Sequence, residues 1–553
     1  MIAEARNDDP QRVLAETIPT IAKAALTRPG ALFIGKFGIG PQGVEVDAGL
    51  VINTGDATEE LKKVVARLEE LIPGEVKSVE IDGITWKEIA LDDDAPRTLW
   101  GFRGKYMVLG VGEKSIESIF ERSRSAPPKW LTDLRKRLPV ERPASVMYVN
   151  LPRILDLAAT MGGFRGARET FDVLGLGNVQ YLASVTGLEG TGLVTRQLVA
   201  LDGESTGLFT LASGQPLEAT ELAVIPRDAN FAVAARVDLE KIYQEFVTGL
   251  GRISPEARDE LLREKGQAEE ELGIDLSADV FKSLGDSWRI YNSPGEGGLL
   301  FTGLTAVVSV RDRAKLAKVL ERIKAFSTFA DRADADGGPV RLSHSTVEHI
   351  EFAKQKIYYL NFVGAESPFA PAWCLTEKEL ILSLFPSHVK TVLSRNASPA
   401  ASGSGFQSIA DLPQVKAALA GEDKPMALTY QDTRGLFRIA YPIAQIIAQL
   451  LASEAQRNGI DLKIADFPSA PVIAKHLEPA VATVTRTEAG IEVISRQSIP
   501  VGLGPLPLLG LPMRAAPLFW SFRRGHAGPI DPLDHAAPVA EPVFVPMDVP
   551  RQR

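Results

Sequence analysis

The apolar and polar positions along the chain predict short strands and amphipathic helices in alternation. From Leu61 to Ile72 the apolar residues recur at the spacing of one helical face. Val76–Ile81 alternates roughly as a half-buried strand does, and the Asp-Gly pair that follows it suits a tight hairpin turn. Because connections between the predicted strands are often too short for a parallel crossover, we expect antiparallel sheets.

The same order of elements occurs twice in the chain. An offset of 273 residues separates W-G-F-R-G-K-Y-M-V-L-G-V, which starts at Trp100, from W-C-L-T-E-K-E-L-I-L-S-L, which starts at Trp373. Upstream, Ala31–Ile34 aligns with Ser287–Ile290 at an offset of 256, and near the end of the repeat the offset reaches 300. An offset that grows along the chain indicates a duplication whose second copy carries loop insertions.

The repeat predicts three regions. They are a first copy, a longer second copy, and a Pro-rich apolar arm with a tail, which cover residues 1–215, 216–500 and 501–553. The second copy opens with a strand and a helix over Ile225–Phe246, whereas the first copy begins at the helix Arg12–Leu26 and lacks this opening. Either the first copy is trimmed, or its opening lies upstream of Met1, or another segment such as Glu541–Val545 takes that place.

These patterns predict an α+β fold. Each copy is expected to be a curved, mainly antiparallel sheet with helices packed on one face. The charged helix over Pro255–Leu272 is expected to lie in solvent. Positions matched between the copies are mainly apolar residues and turn glycines, and no cluster of reactive side chains recurs. This argues against an enzyme with two equivalent sites.

Composition narrows the classes of function. Apolar residues make up 45% of the chain and charged residues 24%, as in an ordinary globular protein. The net charge of −9 argues against a nucleic-acid surface, which needs clustered Lys and Arg to neutralise phosphates. Cys374 is the single cysteine, so an internal disulfide and a cysteine-built zinc site are both excluded. It lies on an apolar strand, where a buried, unreactive thiol is expected.

Several polar motifs lack the spacing that a ligand would need. Gly110–Ser115 (G-V-G-E-K-S) follows a strand and opens a helix, but a phosphate loop needs Gly directly before Lys. Asp334–Gly337 lacks the bidentate acid that a calcium loop carries at its twelfth position, and Asp92–Asp94 is interpreted as a solvated turn. His344 and His349 are five residues apart in a predicted strand, so they face opposite sides. The sequence therefore predicts no metal and no cofactor.

Ser205 is the one candidate nucleophile. It lies in Gly203–Gly207 (G-E-S-T-G), which fits the nucleophile-elbow pattern. That motif requires a strand-to-helix turn, a histidine and an acid, whereas Ser205 falls in a stretch that resembles a linker between the copies. We interpret the match as chance. A hydrolase that uses Ser205 or an asymmetric acidic site is kept as an alternative function.

No transmembrane helix is predicted, because the chain has no unbroken apolar run of sufficient length. The nearest candidate is Ile499–Trp520, whose five prolines would interrupt a helix repeatedly. We expect this arm to pack against the body of the protein, and membrane contact is the less favoured alternative. The start of the chain, M-I-A-E-A-R-N-D-D-P, is acidic and lacks the apolar region of a secretory signal.

The second copy resembles a bacterial family best represented in planctomycetes, whose members carry a large duplicated domain of unknown function. Three segments carry the resemblance: Ile225–Leu239, Gly273–Asp286 and the strand-helix Trp373–Leu393. Members of that family are often exported, so the resemblance implies a periplasmic or envelope location if the true start lies upstream of Met1. It implies no activity, cofactor or catalytic residue.

These observations favour a non-catalytic binding or scaffolding protein. A protein partner or a small ligand is expected in the cleft between the copies, because binding pockets favour domain interfaces. The alternatives are the hydrolase and an envelope-associated protein that uses residues 499–520.

Overall fold

The structure is a computed structural model that describes most of the chain. The described residues are 10–40, 43–72, 75–89, 96–160, 171, 173–190, 192–203, 206–207, 209–210, 215–297, 302–333, 345–362, 368–397, 407–421, 423–457 and 468–498. Several predictions fall outside them. These concern Ser205, Asp92–Asp94, Asp334–Gly337, His344, Ile499–Trp520 and Glu541–Val545.

One or two helices alternate with groups of one to four strands along the chain. The described helices are α1 (Pro10–Thr27), α2 (Thr58–Glu69), α3 (Ser115–Arg124), α4 (Lys129–Arg137), α5 (Leu151–Thr160), α6 (Ala219–Leu222), α7 (Leu239–Ile253), α8 (Pro255–Leu272), α9 (Arg313–Ala333), α10 (Pro386–Ala397), α11 (Pro413–Leu419), α12 (Thr433–Arg457) and α13 (Ala470–Ala474). The described strands are β1 (Gly30–Gly40), β2 (Gly43–Asn53), β3 (Lys77–Ile81), β4 (Ile84–Ile89), β5 (Thr98–Arg103), β6 (Tyr106–Val111), β7 (Arg142–Asn150), β8 (Val179–Glu189), β9 (Gly192–Leu201), β10 (Phe231–Arg236), β11 (Leu284–Asn292), β12 (Leu304–Val310), β13 (Ser345–Phe352), β14 (Gln355–Phe362), β15 (Ala372–Leu375), β16 (Glu379–Ser383), β17 (Ala427–Gln431), β18 (Ala480–Thr487) and β19 (Gly490–Gln497).

The strands form two antiparallel sheets, so the predicted α+β class is confirmed. One sheet has six strands in the order β1-β2-β6-β5-β4-β3. The other has thirteen, in the order β13-β14-β15-β16-β12-β11-β10-β17-β18-β19-β9-β8-β7. The duplication is visible in these orders, because β11-β12-β16-β15-β14-β13 repeats the order of the six-stranded sheet.

By their contacts the residues form two compact units. Unit 1 comprises Met1–Arg168, Val179–Asp202 and Ala489–Ile494, and unit 2 comprises Glu169–Asn178, Gly203–Glu488 and Ser495–Arg553. Strands β1 to β9 belong to unit 1 and β10 to β18 to unit 2. The predicted boundaries of the two repeat copies stay a prediction.

In unit 1 both faces of the six-stranded sheet carry a helix. Leu99 and Trp100 are neighbours on β5 and therefore point to opposite faces. Leu99 packs with Ile116 of α3, whereas Trp100 packs with Val65 of α2. The prediction that helices cover one face is wrong for this sheet. Consecutive apolar residues in β5 mark a strand that is buried on both sides.

Unit 2 shows the same arrangement on β16. Leu380 clusters with Leu316 of α9, and its neighbour Ile381 clusters with Val389 of α10. The prediction of helices on one face is therefore wrong in the second copy as well. In each copy the helix that follows the first hairpin (α2 or α9) and the helix that follows the hairpin β5–β6 or β15–β16 (α3 or α10) pack on opposite faces of the sheet.

The ladders also correct the alignment of the two copies at their first strand. Pairing across three strands gives equivalent ladders, which are Phe33–Gly49–Gly110 in unit 1 and Tyr291–Thr305–Ser383 in unit 2. Phe33 is therefore equivalent to Tyr291, at an offset of 258, and the predicted offset of 256 is wrong here. A two-residue slip keeps every side chain on its own face, so alternation along the strand could not detect it.

Helix α12 was not predicted from the sequence as an apolar helix. The segment Thr433–Ala452 within it is 20 residues long and apolar enough to cross a membrane by length and composition. An unbroken apolar run does not occur in this helix, because Gln445 and Gln449 lie among its apolar residues.

Candidate functional site

The candidate site is a pair of open strand edges in unit 1, and unit 2 shows what such edges pair with. There β10 lies between two strands and pairs antiparallel with both β11 and β17. Ala232 of β10 is opposite Tyr291 on one side and Tyr430 on the other. Val233, on the other face, is opposite Ile290 and Thr429.

Unit 1 has the two outer strands of this arrangement. By position in the repeat, β1 corresponds to β11 and β7 to β17. β1 is the end strand of the six-stranded sheet and β7 is the end strand of the thirteen-stranded sheet. Within the described part of the chain no strand occupies the outer edge of either one. β3 and β13, the other two end strands, correspond to each other, so among the described residues β1 and β7 are the end strands whose counterparts in unit 2 are paired on both sides.

Several apolar side chains along these edges are exposed. Leu32 and Ile34 of β1 are 76% and 71% exposed, and Met147 of β7 is 52% exposed. In unit 2 the corresponding strands are largely covered, and Leu428 and Tyr430 of β17 are buried. Isolated apolar side chains on a surface are common, but exposed apolar side chains along an unpaired strand edge are typical of a binding surface.

The backbone supplies the polar part of the site. An edge strand presents alternate N–H and C=O groups that hydrogen-bond an added strand. In β1 the register shifts between Ile34 and Lys36, which marks a bulge. The regular part of the edge is therefore Gly30–Ile34, close in length to the six pairs that β10 makes with β11.

Each of the two edge strands carries one aromatic ring that is held in place. Arg122 lies over the Phe33 ring, 4.2 Å from its centroid, and its Nη2 is 2.5 Å from Asp47 Oδ2. The Tyr148 ring stacks on Trp130 at a centroid distance of 4.3 Å. Phe33 is equivalent to Tyr291, and Tyr148 aligns with Tyr430 at an offset of 282. Tyr291 and Tyr430 are the two residues that flank Ala232 in unit 2. Partial burial raises the pKa of Tyr148, so it stays a neutral phenol.

The phosphate-loop candidate is a packed turn. Gly110 is the penultimate residue of β6, and a Cβ there would lie 2.5 Å from the Oγ of Ser115. Gly112 has a φ of +121°, and a Cβ there would meet the carbonyl oxygen of Val46 at 1.9 Å. These glycines are required by close packing, and the interpretation as an ordinary strand-to-helix turn fits this geometry.

The repeat also exposes a polar cluster in unit 2 that the sequence reasoning missed. Ser383 and His388 stand at the positions of Gly110 and Ser115. Ser383 Oγ lies 3.2 Å from His388 Nδ1, accepts a hydrogen bond from Thr305 at 3.3 Å and lies 3.0 Å from the carbonyl oxygen of Leu304. The same offset of 273 that reveals the duplication could have found this asymmetry.

This serine–histidine pair does not form a catalytic arrangement. Burial alone lowers the pKa of His388, and no carboxylate among the described residues contacts its ring. A nucleophilic pair requires a third group that orients the base, and an accessible serine. Ser383 is buried and engaged by a backbone carbonyl. The cluster therefore has a structural role within the core.

A buried ion pair lies close to that cluster. Arg395 is paired with the carboxylate of Glu296, and its Nη2 donates to the hydroxyl of Tyr291 at 2.8 Å. Arg395 is the repeat equivalent of Arg122, so both copies place an arginine over the ring of the equivalent first strand. Both arginines hold the first strand of their copy to the helix that follows β6 or β16.

The remaining candidates are not gathered into a site. Cys374 is buried on β15, and desolvation raises the pKa of its thiol to about 11. Within the residues that the structure describes, no group of three or more His, Cys, Asp or Glu side chains could hold a metal ion. Ser205 lies outside those residues, so the hydrolase alternative stays a prediction.

Comparisons with known proteins leave the family open. No family model, no curated protein and no solved structure matches this chain.

Proposed function

We propose that this protein is a non-catalytic binding protein that takes up an extended peptide strand at the open edges of β1 and β7 in unit 1. The proposal is carried by one observation. Unit 2 fills the equivalent place with β10, whereas the described residues of unit 1 leave both edges unpaired and their apolar side chains exposed.

The chemistry of the edges defines the strand that would bind. Backbone groups would provide affinity without regard to sequence, and side-chain positions would provide specificity. A small residue is required between Phe33 and Tyr148, as Ala232 lies between Tyr291 and Tyr430. An apolar residue is favoured at the next position, between Leu32 and Met147, where Val233 stands in unit 2.

The chain itself provides a probe for this test. A synthetic peptide with the sequence of Asn230–Val237 (N-F-A-V-A-A-R-V) carries the β10 strand. Titrated against the full chain with a fluorescent label, it should bind in a saturable way. A peptide with Phe at the position of Ala232 should bind at least about tenfold more weakly, because the larger side chain meets the two rings.

A matched pair of protein variants locates the binding. Leu32→Lys places a charge at the open edge, and Leu188→Lys places the same charge at an exposed site on β8. We expect the first variant alone to lose binding, because charge at an edge opposes strand pairing. Absence of saturable binding to the wild type, or equal binding by the two variants, would overturn the proposal.

A further inference from the structure

We infer that the exposed apolar face of α12 binds the surface of a lipid bilayer. This site lies in unit 2 and is independent of the strand edges in unit 1. Several large apolar residues of α12 are exposed. Its exposed residues include Ile443, Ile446, Ile447, Leu450 and Leu451.

These five positions form one continuous stripe. They follow the i, i+3, i+4, i+7, i+8 spacing that normally directs a helix toward a core. Here the stripe faces solvent, with Ile446 62% and Leu450 70% exposed. Of the candidate span Thr433–Ala452 only 6% is buried inside the protein. A soluble helix of this composition would be mostly buried.

Charge is absent along the stripe and present before it. No charged residue occurs between Arg438 and Glu454. Arg434 and Arg438 lie in the first two turns, and both are exposed. An uncharged apolar face next to cationic residues is typical of helices that insert among lipid headgroups.

The connections of α12 favour a helix that lies in the plane of the bilayer over one that crosses it. The helix lies between β17 and β18, and these strands pair with Gln431 opposite Ala480. The segment between these strands therefore leaves the sheet and returns to it at the same place. A helix that crosses the bilayer would then need a second crossing segment after it. Among the described residues that follow, α13 has only five residues.

The start of α12 is fixed to the body of unit 2. Arg434 donates to the carbonyl oxygen of Leu477 from Nη2 at 2.9 Å and from Nε at 3.2 Å. Tyr441 donates to the carbonyl oxygen of Pro468, and its ring packs 4.8 Å from that of Phe437. These contacts hold the first turns, and the stripe from Ile443 onward is exposed.

The experiment is vesicle flotation of the full chain. Vesicles of phosphatidylcholine alone and of phosphatidylcholine mixed with phosphatidylglycerol serve as probes. Wild-type protein should float with both kinds, and more strongly with the anionic mixture. The double variant Ile446→Glu, Leu450→Glu should reduce partition by about a hundredfold, because two large apolar side chains leave the bilayer. Both variant residues are exposed, so thermal unfolding should remain that of the wild type.

Two controls make the test specific. Ile154→Glu in α5, the repeat equivalent of α12, changes an apolar residue that is 48% exposed beside Arg153 and Asp156, and should leave partition unchanged. Leu508→Glu with Leu509→Glu changes the apolar arm and should also leave it unchanged. Loss of partition in this second control alone would assign membrane contact to the arm and overturn the inference.

A second copy of the chain is the competing occupant. Light scattering coupled to size exclusion should find the wild type and the α12 variant in the same oligomeric state without lipid. A wild-type dimer that the α12 variant converts to a monomer, together with no flotation, would overturn the inference.

Discussion

Ser383 and His388 are hydrogen-bonded within the core of unit 2, with Oγ 3.2 Å from Nδ1, at positions that are Gly110 and Ser115 in unit 1. The duplication has therefore kept the backbone and changed the chemistry of one buried contact. Glycine leaves space for a serine hydroxyl in the first copy, and serine with histidine fills that space in the second. This pair gives the fold a defined response to pH.

Acidification should destabilise the protein through His388. Burial lowers its pKa in the folded state below the ordinary value of 6.5. Below pH 6.5 His388 therefore binds a proton in the unfolded chain but not in the folded protein. The free energy of unfolding then falls as the pH decreases through that value. Chemical denaturation at several pH values above and below 6.5 measures this loss. In His388→Gln the loss over the same range should be smaller, and an equal loss would contradict the assignment.

The buried ion pair between Arg395 and Glu296 should be far more sensitive than its repeat equivalent. Arg395→Met leaves a buried carboxylate without its cation, which should cost about 3–5 kcal/mol of unfolding free energy. Arg122→Met removes the equivalent contact to Asp47, where the arginine is about half exposed, and should cost about 1 kcal/mol or less. Denaturant unfolding of both variants measures the difference. Equal costs would contradict the burial that separates the two pairs.

A side chain added at Gly101, which lies against the buried ring of Trp86, should destabilise the protein. A Cβ at Gly101 would lie 2.8 Å from the Cε3 atom of this buried ring, so Gly101→Ala should cost about 1–3 kcal/mol. Gly38→Ala is the matched control, because a Cβ added at that strand glycine would meet no atom within 4 Å, and the change should be neutral or slightly stabilising. Thermal unfolding compares the two, and a neutral Gly101→Ala would show that the ring can move.

The Cys374 thiol should be inert in the folded protein. Only a thiolate attacks a disulfide reagent, and a pKa of about 11 leaves very little thiolate near neutral pH. Ellman's reagent should therefore detect the cysteine only after denaturation, and unfolded protein at the same concentration is the control. Full reaction of the native protein within minutes would contradict its burial.

Local chemistry made some elements predictable from the sequence. The structure gives α8 the predicted bounds, because Ser254 caps its start, accepting from the Ala257 N–H at 3.1 Å, and Gly273 ends it at a φ of +62°. The predicted turn at Asp82 and Gly83 has the two positive φ values that such hairpins need. In each case neighbouring residues in the sequence determine the outcome.

Other features depend on contacts far apart in the chain. The two-residue slip that separates Phe33 from its predicted partner leaves alternation unchanged, so only the ladder could reveal it. The second helical layer follows from Leu99 and Trp100 both being buried, which a period-2 interpretation could not anticipate. The stripe of α12 has the spacing of a core face, and its exposure is a property of the assembled unit alone.

The open edges were only half predictable. In the alignment the first copy shows no counterpart of β10, so the sequence leaves open what lies beside β1. That the same place also borders β7 required the pairing of β10 with both β11 and β17. The exposure of Leu32 and Met147 then supports the proposal that this place binds a peptide strand.

Hydrogen exchange of the full chain, followed by mass spectrometry with and without the Asn230–Val237 peptide, tests the central claim most directly. Without peptide, amides in Gly30–Ile34 and in β7 should exchange faster than those of β11 and β17, because their outer edges are open. With peptide, both segments should become protected together while β3 stays unchanged. Protection of β1 and β7 before any peptide is added would show that a segment of this chain already covers them. That result, or no change on saturation with peptide, would contradict the account.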